Sequence, residues 1–238
     1  NKGGNAVNFA MEVLGLEYRQ ALEDLLSFNG YTDFRSHETV TPVQTEKQEQ
    51  PTEDEPHVIL PNELDSKTNR TYAYLTKTRG IPDDIVKSLI DNGSIAQDIR
   101  GNAVFKIFDG NGELTGAELT STNTSHRFKQ TTERGGNGFT INPTGTEKPQ
   151  KVIFFEAGID TMSYYALHRD TDALLVSMGG LKDKVVNTTL ERYGITPANA
   201  LIATDNDEAG RNFAQKMQET LGISAHQLTD DPLFELCG

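Results

Sequence analysis

The sequence predicts an α/β fold in which helices flank a mainly parallel sheet, preceded by a smaller α+β unit and an N-terminal helical segment. Three observations predict it. Over the last third of the chain, short apolar β-branched runs alternate with helical periods, the pattern of a parallel sheet with helices on its faces. A hairpin pattern lies upstream of these runs. A polar segment rich in Thr, Gln, Glu and Pro separates the hairpin from the N-terminal helices.

The N-terminal part predicts two short helices and a linker. Residues 1–30 carry two apolar stripes at helical spacing, interrupted at Gly15, and a simple helical hairpin explains them. Residues 31–66 read as a linker. Their middle, 36–56, is nearly free of the large apolar side chains that would offset its ordering entropy, so we expect it to be flexible or extended.

The unit over 67–150 predicts helices followed by a hairpin. The elements are a helix over 69–78, a helix from Pro82 to Asn92, a strand over 103–108, a returning strand over 114–119 and a polar, glycine-rich loop over 123–141. Pro82 suits the first turn of a helix, and the two aspartates after it suit the helix dipole.

The unit over 151–238 alternates strand and helix. Strands are predicted over 151–155, 173–177 and 200–204, and helices over 158–168, 181–193 and 208–221. Strands of about five residues separated by helices predict parallel neighbours joined by crossovers.

Charge is distributed unevenly along the chain. The formal net charge of −13 argues against a protein that coats nucleic acid nonspecifically. Residues 58–150 carry 11 basic and 11 acidic groups, whereas 151–238 carry 7 and 13. The middle third is therefore the surface least repulsive to phosphates, and the last third has the carboxylates that a metal site needs.

Other sequence features bound the class of protein. No apolar run reaches about 18 residues and no signal peptide is visible, so we expect a cytoplasmic protein with no membrane partner. The single cysteine, Cys237, excludes an internal disulfide and a cysteine-based zinc site in this chain. Because the chain begins without Met and ends abruptly, we expect it to be a fragment of a longer protein.

Acidic residues follow two of the predicted parallel strands. Glu156 directly follows the first apolar run, with Asp160 four residues on, and Asp205 and Asp207 follow a later strand. Functional groups gather at the carboxyl ends of parallel strands. Carboxylates converging there repel one another unless a cation is present, and all-oxygen ligands favour Mg²⁺ or Mn²⁺. Alternatively, an aspartate here simply caps the following helix.

These motifs resemble the Toprim signature. The EAGID sequence at 156–160 and the DNDEAGR sequence at 205–211 are similar to the motifs shared by bacterial DnaG-type primases, topoisomerases and some nucleases. The resemblance implies a Rossmann-like Toprim domain over 151–238, with Glu156 as general base or acid near a metal. It further implies that Asp205 and Asp207 hold Mg²⁺ and that Asp160 is a further acidic site residue.

The resemblance extends upstream. YLTKTRGI at 74–81 and NAVFKIFD at 102–109 resemble the opening segment and first hairpin of the primase polymerase core. Residues 1–29 resemble the helices after the zinc ribbon of primases, so 1–30 would be its remnant, with zinc expected only in the missing ribbon. The third acidic motif of primases has only a poor match, at Asp230 and Asp231. The nearest resemblance is to primase-like Toprim proteins of mobile elements.

The resemblance implies metal-dependent nucleotidyl transfer, the synthesis of primers on single-stranded DNA from nucleoside triphosphates. A helicase or a relaxase is a further expected partner. A Toprim nuclease that cleaves phosphodiester bonds remains an alternative, as does an inactive nucleic-acid-binding module.

Five basic residues are candidates for binding nucleic acid or nucleotides: Arg79, Arg127, Lys129, Arg134 and Arg211. For Arg127, Lys129 and Arg134, a position in an ordinary solvated loop explains their charge equally well. For Arg211, a salt bridge to Glu208 is equally consistent with the sequence.

Overall fold

The structure is a computed structural model. It describes residue 60 and residues 62–125 and 128–227, and for residues 226 and 227 it describes the backbone only. Several predictions fall outside this range: the N-terminal helices, the linker segment 36–56, Arg127 and the Asp230-Asp231 pair. In the part of the chain that the structure describes, no helix is long and apolar enough to cross a bilayer.

The upstream elements form an antiparallel sheet with helices beside it. They are α1 (Asn69–Ala73), which continues as a π-helical turn (Tyr74–Thr78), α2 (Asp83–Asp91), β1 (Ile95–Gln97), β2 (Ala103–Phe108), β3 (Leu114–Thr120) and β4 (Lys129–Thr131). The strands lie in the order β1-β2-β3-β4. Pro82 precedes the first residue of α2 with an extended backbone, and the helix ends before Gly93, whose φ is positive.

The downstream elements form a second, mainly parallel sheet. They are β5 (Phe139–Ile141), β6 (Val152–Phe155), α3 (Gly158–Leu167), β7 (Leu174–Ser177), α4 (Asp183–Tyr193), a 3₁₀ turn (Pro197–Asn199), β8 (Ala200–Thr204), α5 (Glu208–Leu221) and β9 (Ser224–Gln227). The strand order is β5-β7-β6-β8-β9, and only β5 is antiparallel to its neighbour. The predicted α/β fold with a mainly parallel sheet and flanking helices is confirmed.

The polar loop predicted over 123–141 is wrong in part, because it contains β4 and β5. Both strands are three residues long, and β4 is mostly exposed. Three residues are too few for an alternating pattern to identify a strand, so these strands are defined by backbone pairing with β3 and β7. The glycine-rich turn between them is ordered by the Glu133 carboxylate, which accepts the N–H groups of Gly135 at 2.8 Å and Gly136 at 3.0 Å.

Two further boundaries differ from the sequence prediction. The end of the predicted linker is anchored next to β1. Leu64 forms a β-bridge with Asp98, the residue after β1, and the Asn62 side-chain amide donates to the Asp98 carboxylate at 2.8 Å. In addition, β5 lies within the predicted 67–150 unit but pairs with β7 of the downstream sheet. Backbone pairing and hydrogen bonds with residues distant in the sequence determine both where the linker ends and which sheet contains β5.

The two sheets share a hydrophobic core. The largest cluster of buried residues combines upstream and downstream side chains: Leu75, Ile81, Ile85, Val86, Leu89, Ile95, Ala103, Phe105, Ile107, Phe139, Ile141, Ile153, Phe155, Ile159, Met162, Ala173, Leu175 and Ala203. The β6 strand is buried on both faces, since Ile153 and Phe155 join this cluster, whereas Val152 and Phe154 join the one formed with α4 and α5. The carboxyl end of β6 is therefore held rigidly between the layers.

Candidate metal and nucleotide site

Adjacent parallel strands bring Glu156 and Asp205 to one edge of the downstream sheet. Phe155, the last residue of β6, lies beside Ala203 of β8 and Ser177 of β7 in parallel register. Glu156 comes directly after Phe155, and Asp205 directly after the end of β8. The backbone of Glu156 is fixed by the N–H of Gly180, which donates to its carbonyl oxygen at 2.8 Å. The carboxyl ends of both strands thus meet at this edge.

The carboxylates at this edge share one electrostatic environment. Partial burial raises the pKa of Glu156, and the charges of Asp205 and Asp207 raise it further. Burial raises the pKa of Asp160 to about 7, with the charge of Asp205 as the next cause. Lys129 opposes both increases in pKa. The repulsion among these groups is what a bound cation would relieve.

Two of the aspartates also cap helices. Asp207 is the N-cap of α5, where its Oδ1 accepts the N–H of Gly210 at 2.7 Å. Asp160 Oδ2 accepts the N–H of Ala157 at 3.1 Å, at the start of α3. Asp207 therefore has two effects: it caps α5, and its charge raises the pKa of Glu156. Asp205 is exposed.

Within the described ranges, no group of three or more His, Cys, Asp or Glu side chains is arranged to hold a metal. The donor chemistry nevertheless fits a hard cation, because the clustered oxygens repel one another in its absence. Mg²⁺ keeps several ligands from water or substrate phosphates and needs only one or two protein carboxylates. The site therefore fits a Mg²⁺ ion whose remaining ligands come from the substrate and from water.

A close approach of the chain requires the glycine after the acidic pair. A Cβ on Gly210 would lie 2.1 Å from the backbone oxygen of Asp205, closer than any real contact. The Thr204 hydroxyl also donates to the Gly210 carbonyl at 3.1 Å. The first turn of α5 is therefore packed directly on the loop that carries Asp205.

A cleft of about 400 Å³ opens beside this acidic edge and contains both acidic and basic side chains. Its lining residues come from the π-helical turn after α1 and its C-cap, the β3–β4 hairpin, α3 and the loop after β8: Tyr74, Thr78, Arg79, Thr120, Ser121, Asn123, Thr124, Phe128, Lys129, Ile159, Asp160 and Asp205. The Nε atom of Arg79 is buried here without a hydrogen-bond partner. A buried donor without a partner lowers stability, so a ligand acceptor at this point would satisfy it.

The remaining predicted basic residues are placed differently. Arg134 lies on the exposed turn after Glu133, where its carbonyl accepts a hydrogen bond from Lys184 at 2.9 Å, and it does not line this cleft. Arg211 donates to the backbone oxygen of Asn206 at 2.7 Å and to its side-chain oxygen at 3.1 Å. That contact differs from the salt bridge to Glu208, and phosphate binding by Arg211 stays a prediction. The structure thus brings Arg79 and Lys129, but not Arg134, to the acidic edge.

Two residues that the sequence interpretation missed border Glu156 in a second cleft of about 300 Å³. They are Glu118 of β3 and Lys182, just before α4. Burial lowers the pKa of Lys182 and raises that of Glu118. Glu118 is the one charged residue in the β3 sequence LTGAELT, a signal that could have identified it.

Models of two protein families match the upstream and downstream parts of the chain. Residues 153–230 match the family described as Toprim-like, and residues 73–147 match a protein family of unknown function, DUF3991. Together with the acidic edge, the first match identifies residues 153–230 as a Toprim-like domain, whereas β5 lies within the second match. Over 228 residues the chain is 28% identical to pXO2-78, an uncharacterized protein of Bacillus anthracis. The match covers 90% of this chain and 62% of that relative, so the chain spans less than two thirds of its length.

Two of the solved structures to which the chain is similar come from primases. The primase fragment of the bacteriophage T7 primase-helicase protein is 18% identical, with a TM-score of 0.48 over 63% of this chain and 62% of that one. The E. coli primase catalytic core is 16% identical, with a TM-score of 0.42 over 68% and 64%.

Proposed function

We propose that this chain is a primase-like Toprim protein that catalyses metal-dependent nucleotidyl transfer. Its proposed reaction is primer synthesis on single-stranded DNA during replication or transfer of a mobile element. One observation carries the proposal: Asp160 and Asp205 line the same cleft as Arg79 and Lys129. A carboxylate site for a cation and side chains for phosphate groups therefore face one space, as phosphoryl transfer requires.

Glu156, Asp205 and Asp207 would hold the divalent cation, Mg²⁺ or Mn²⁺, together with oxygens of the substrate phosphates. When bound there, such an ion would supply positive charge beside the phosphates of the substrate. Weak metal binding without substrate follows from the proposal, because the described carboxylates do not form a complete ligand set.

The chain's own side chains would handle the proton and the substrate. Asp160, with a pKa of about 7, is poised to accept the proton of a 3′ hydroxyl near neutral pH, and Glu156 is a second candidate for this role. Arg79 and Lys129 would bind phosphates of template or triphosphate, and the exposed ring of Phe128 would stack against a base. A helicase or relaxase partner stays a prediction from the resemblance.

A primer-synthesis assay tests the proposal. The chain is incubated with single-stranded template, labelled nucleoside triphosphates and either Mg²⁺ or Mn²⁺. We expect metal-dependent products from the wild type and a loss of about 100-fold or more in Asp205→Asn and Glu156→Gln, because each change removes a ligand or proton acceptor. Asp172→Asn is the matched control: this carboxylate is exposed and paired with Lys151, away from both clefts.

Other products would overturn the proposed reaction. Cleavage of the template without extension would indicate a nuclease. Metal-dependent binding with neither product would indicate an inactive nucleic-acid-binding module.

A further inference from the structure

A buried carboxylate on β3 reaches across to the downstream sheet. Glu118 is only 4% exposed. Its Oε1 accepts the N–H of Gly158 at 2.7 Å, and its Oε2 accepts the Ser177 hydroxyl at 2.6 Å. The N–H of Gly179 donates to the oxygen of the same Ser177 hydroxyl at 3.2 Å, which leaves the serine proton for Glu118. Both carboxylate oxygens are therefore engaged by the Toprim-like domain.

The groups that Glu118 holds lie on either side of Glu156. Gly158 follows Glu156 by two residues at the start of α3. Ser177 ends β7, and three residues later the N–H of Gly180 donates to the Glu156 carbonyl. One buried side chain thus fixes the turn after β6 and the turn after β7, and both turns set the backbone position of Glu156.

The β3–β4 hairpin that carries Glu118 also carries Lys129. Glu118 pairs with Thr131 across the hairpin, and Thr120 pairs with Lys129. The Thr131 hydroxyl donates to the carbonyl of Gly179 at 3.0 Å, a second attachment to the turn after β7. The hairpin is therefore joined to the acidic edge at two points, close to its basic residue.

We infer that Glu118 is a positioning residue that sets where Glu156 and Asp160 lie relative to Lys129, by holding the turns after β6 and β7. This inference rests on the proposed function. Isolated burial of a carboxylate is costly, and here backbone and hydroxyl donors compensate it. Removing Glu118 leaves the Gly158 N–H and the Ser177 hydroxyl without their acceptor, so each turn loses a contact that holds it in place. Displacements of about 1 Å at a catalytic group can reduce turnover by about 100-fold.

The test compares Glu118→Ala, Glu118→Gln and the control Glu133→Gln. Glu133 is also a buried carboxylate that accepts backbone N–H groups, but it orders the Gly135-Gly136 turn. We expect kcat to fall about 100-fold in Glu118→Ala, with KM for the triphosphate changed less than about threefold. Glu118→Gln should recover at least about tenfold of that loss, because its amide oxygen can still accept from Gly158. The control should stay within about twofold.

Mn²⁺ affinity gives a readout that does not need activity. We expect Glu118→Ala to bind Mn²⁺ about tenfold more weakly, as for other residues that orient metal ligands. Ser177→Ala, which removes one of the two bonds, is the second variant should Glu118→Ala not fold; its affinity should fall as well. Unchanged affinity in both folded variants, or an equal loss in Glu133→Gln, would overturn the positioning role. If the wild type makes no primer but the variants show the expected Mn²⁺ affinities, the proposed function is wrong and the positioning role of Glu118 stands.

Discussion

The Asp160 carboxyl shows how position alone changes the chemistry of a residue. It is partly buried at the start of α3, beside Asp205, and its pKa is raised to about 7. The folded state therefore favours the protonated form, which is neutral. The pKa of Asp160 in the folded state lies above its ordinary value of 3.8. The contribution of Asp160 to the free energy of unfolding is therefore fully present below about pH 4 and is lost as pH rises through 7.

This sign predicts the pH dependence of an Asp160→Asn variant. Asparagine resembles the neutral acid at every pH, so the variant should gain stability relative to the wild type between pH 4.5 and pH 8. The expected gain is on the order of 3 kcal/mol. Urea unfolding at several pH values, without divalent metal, measures it.

A control variant for this experiment is Asp84→Asn. Arg169 lowers the pKa of the exposed Asp84 to about 2, so the contribution of this pair is lost only as pH falls through 2. Its difference from the wild type should be constant over the same pH range. A constant difference for Asp160→Asn as well would contradict the raised pKa of Asp160.

At the scale of elements, the β3–β4 hairpin connects the upstream sheet with the acidic edge. Its second strand is short, polar and mostly exposed, yet it places Lys129 where its charge acts on Glu118, Glu156 and Asp160. Lys129 also lines both clefts that border these carboxylates. A phosphate bound at Lys129 would therefore lie near the proposed metal site.

Lys129→Ala should weaken binding of single-stranded DNA in the presence of Mn²⁺. Loss of one phosphate contact should reduce the slope of log affinity against log salt concentration by about 0.7 to 1. Fluorescence anisotropy over a range of salt concentrations measures both quantities. Lys148→Ala is the control, since Lys148 is exposed in the connection leading to the amino end of β6. Equal slopes for the two variants would place the DNA elsewhere.

For the molecule as a whole, the shared core joins the upstream sheet and the Toprim-like domain. Phe105 of β2 is fully buried and packs edge-on against Phe139 of β5, with ring centroids 5.2 Å apart. A Cβ on Gly158 would lie 3.0 Å from the Phe105 ring, so the start of α3 rests on the same side chain. The two sheets are therefore expected to unfold together.

Phe105→Ala tests this cooperativity. Deleting the ring should cost about 3–5 kcal/mol, because it leaves a cavity between the sheets. Hydrogen exchange should show protection falling together in β2, β5 and β6, with a single unfolding transition. Phe108→Ala, at a position 38% exposed, should change stability little. Loss of protection confined to β2 would indicate that the sheets unfold independently.

Local patterns in the sequence were sufficient for most helices, the central strands and the acidic edge. The helix over Glu208–Leu221 and the strands over Ala103–Phe108 and Ala200–Thr204 were predicted with the bounds observed, because periodicity and turn residues specify them locally. The placement of Glu156 and Asp205 at one edge follows from a parallel sheet with adjacent strands.

Only the tertiary structure decided which distant segments meet. Three-residue strands such as β5 have too few side chains to show a period, and their identity comes from pairing with a partner far along the chain. Glu118 contacts Gly158 across 40 residues and Ser177 across 59, and a contact at such separation leaves no periodic trace. The sequence by itself determined the chemistry available at the acidic edge. The packing of the two sheets decided which basic and buried side chains reach that edge, since such contacts depend on strand order and register.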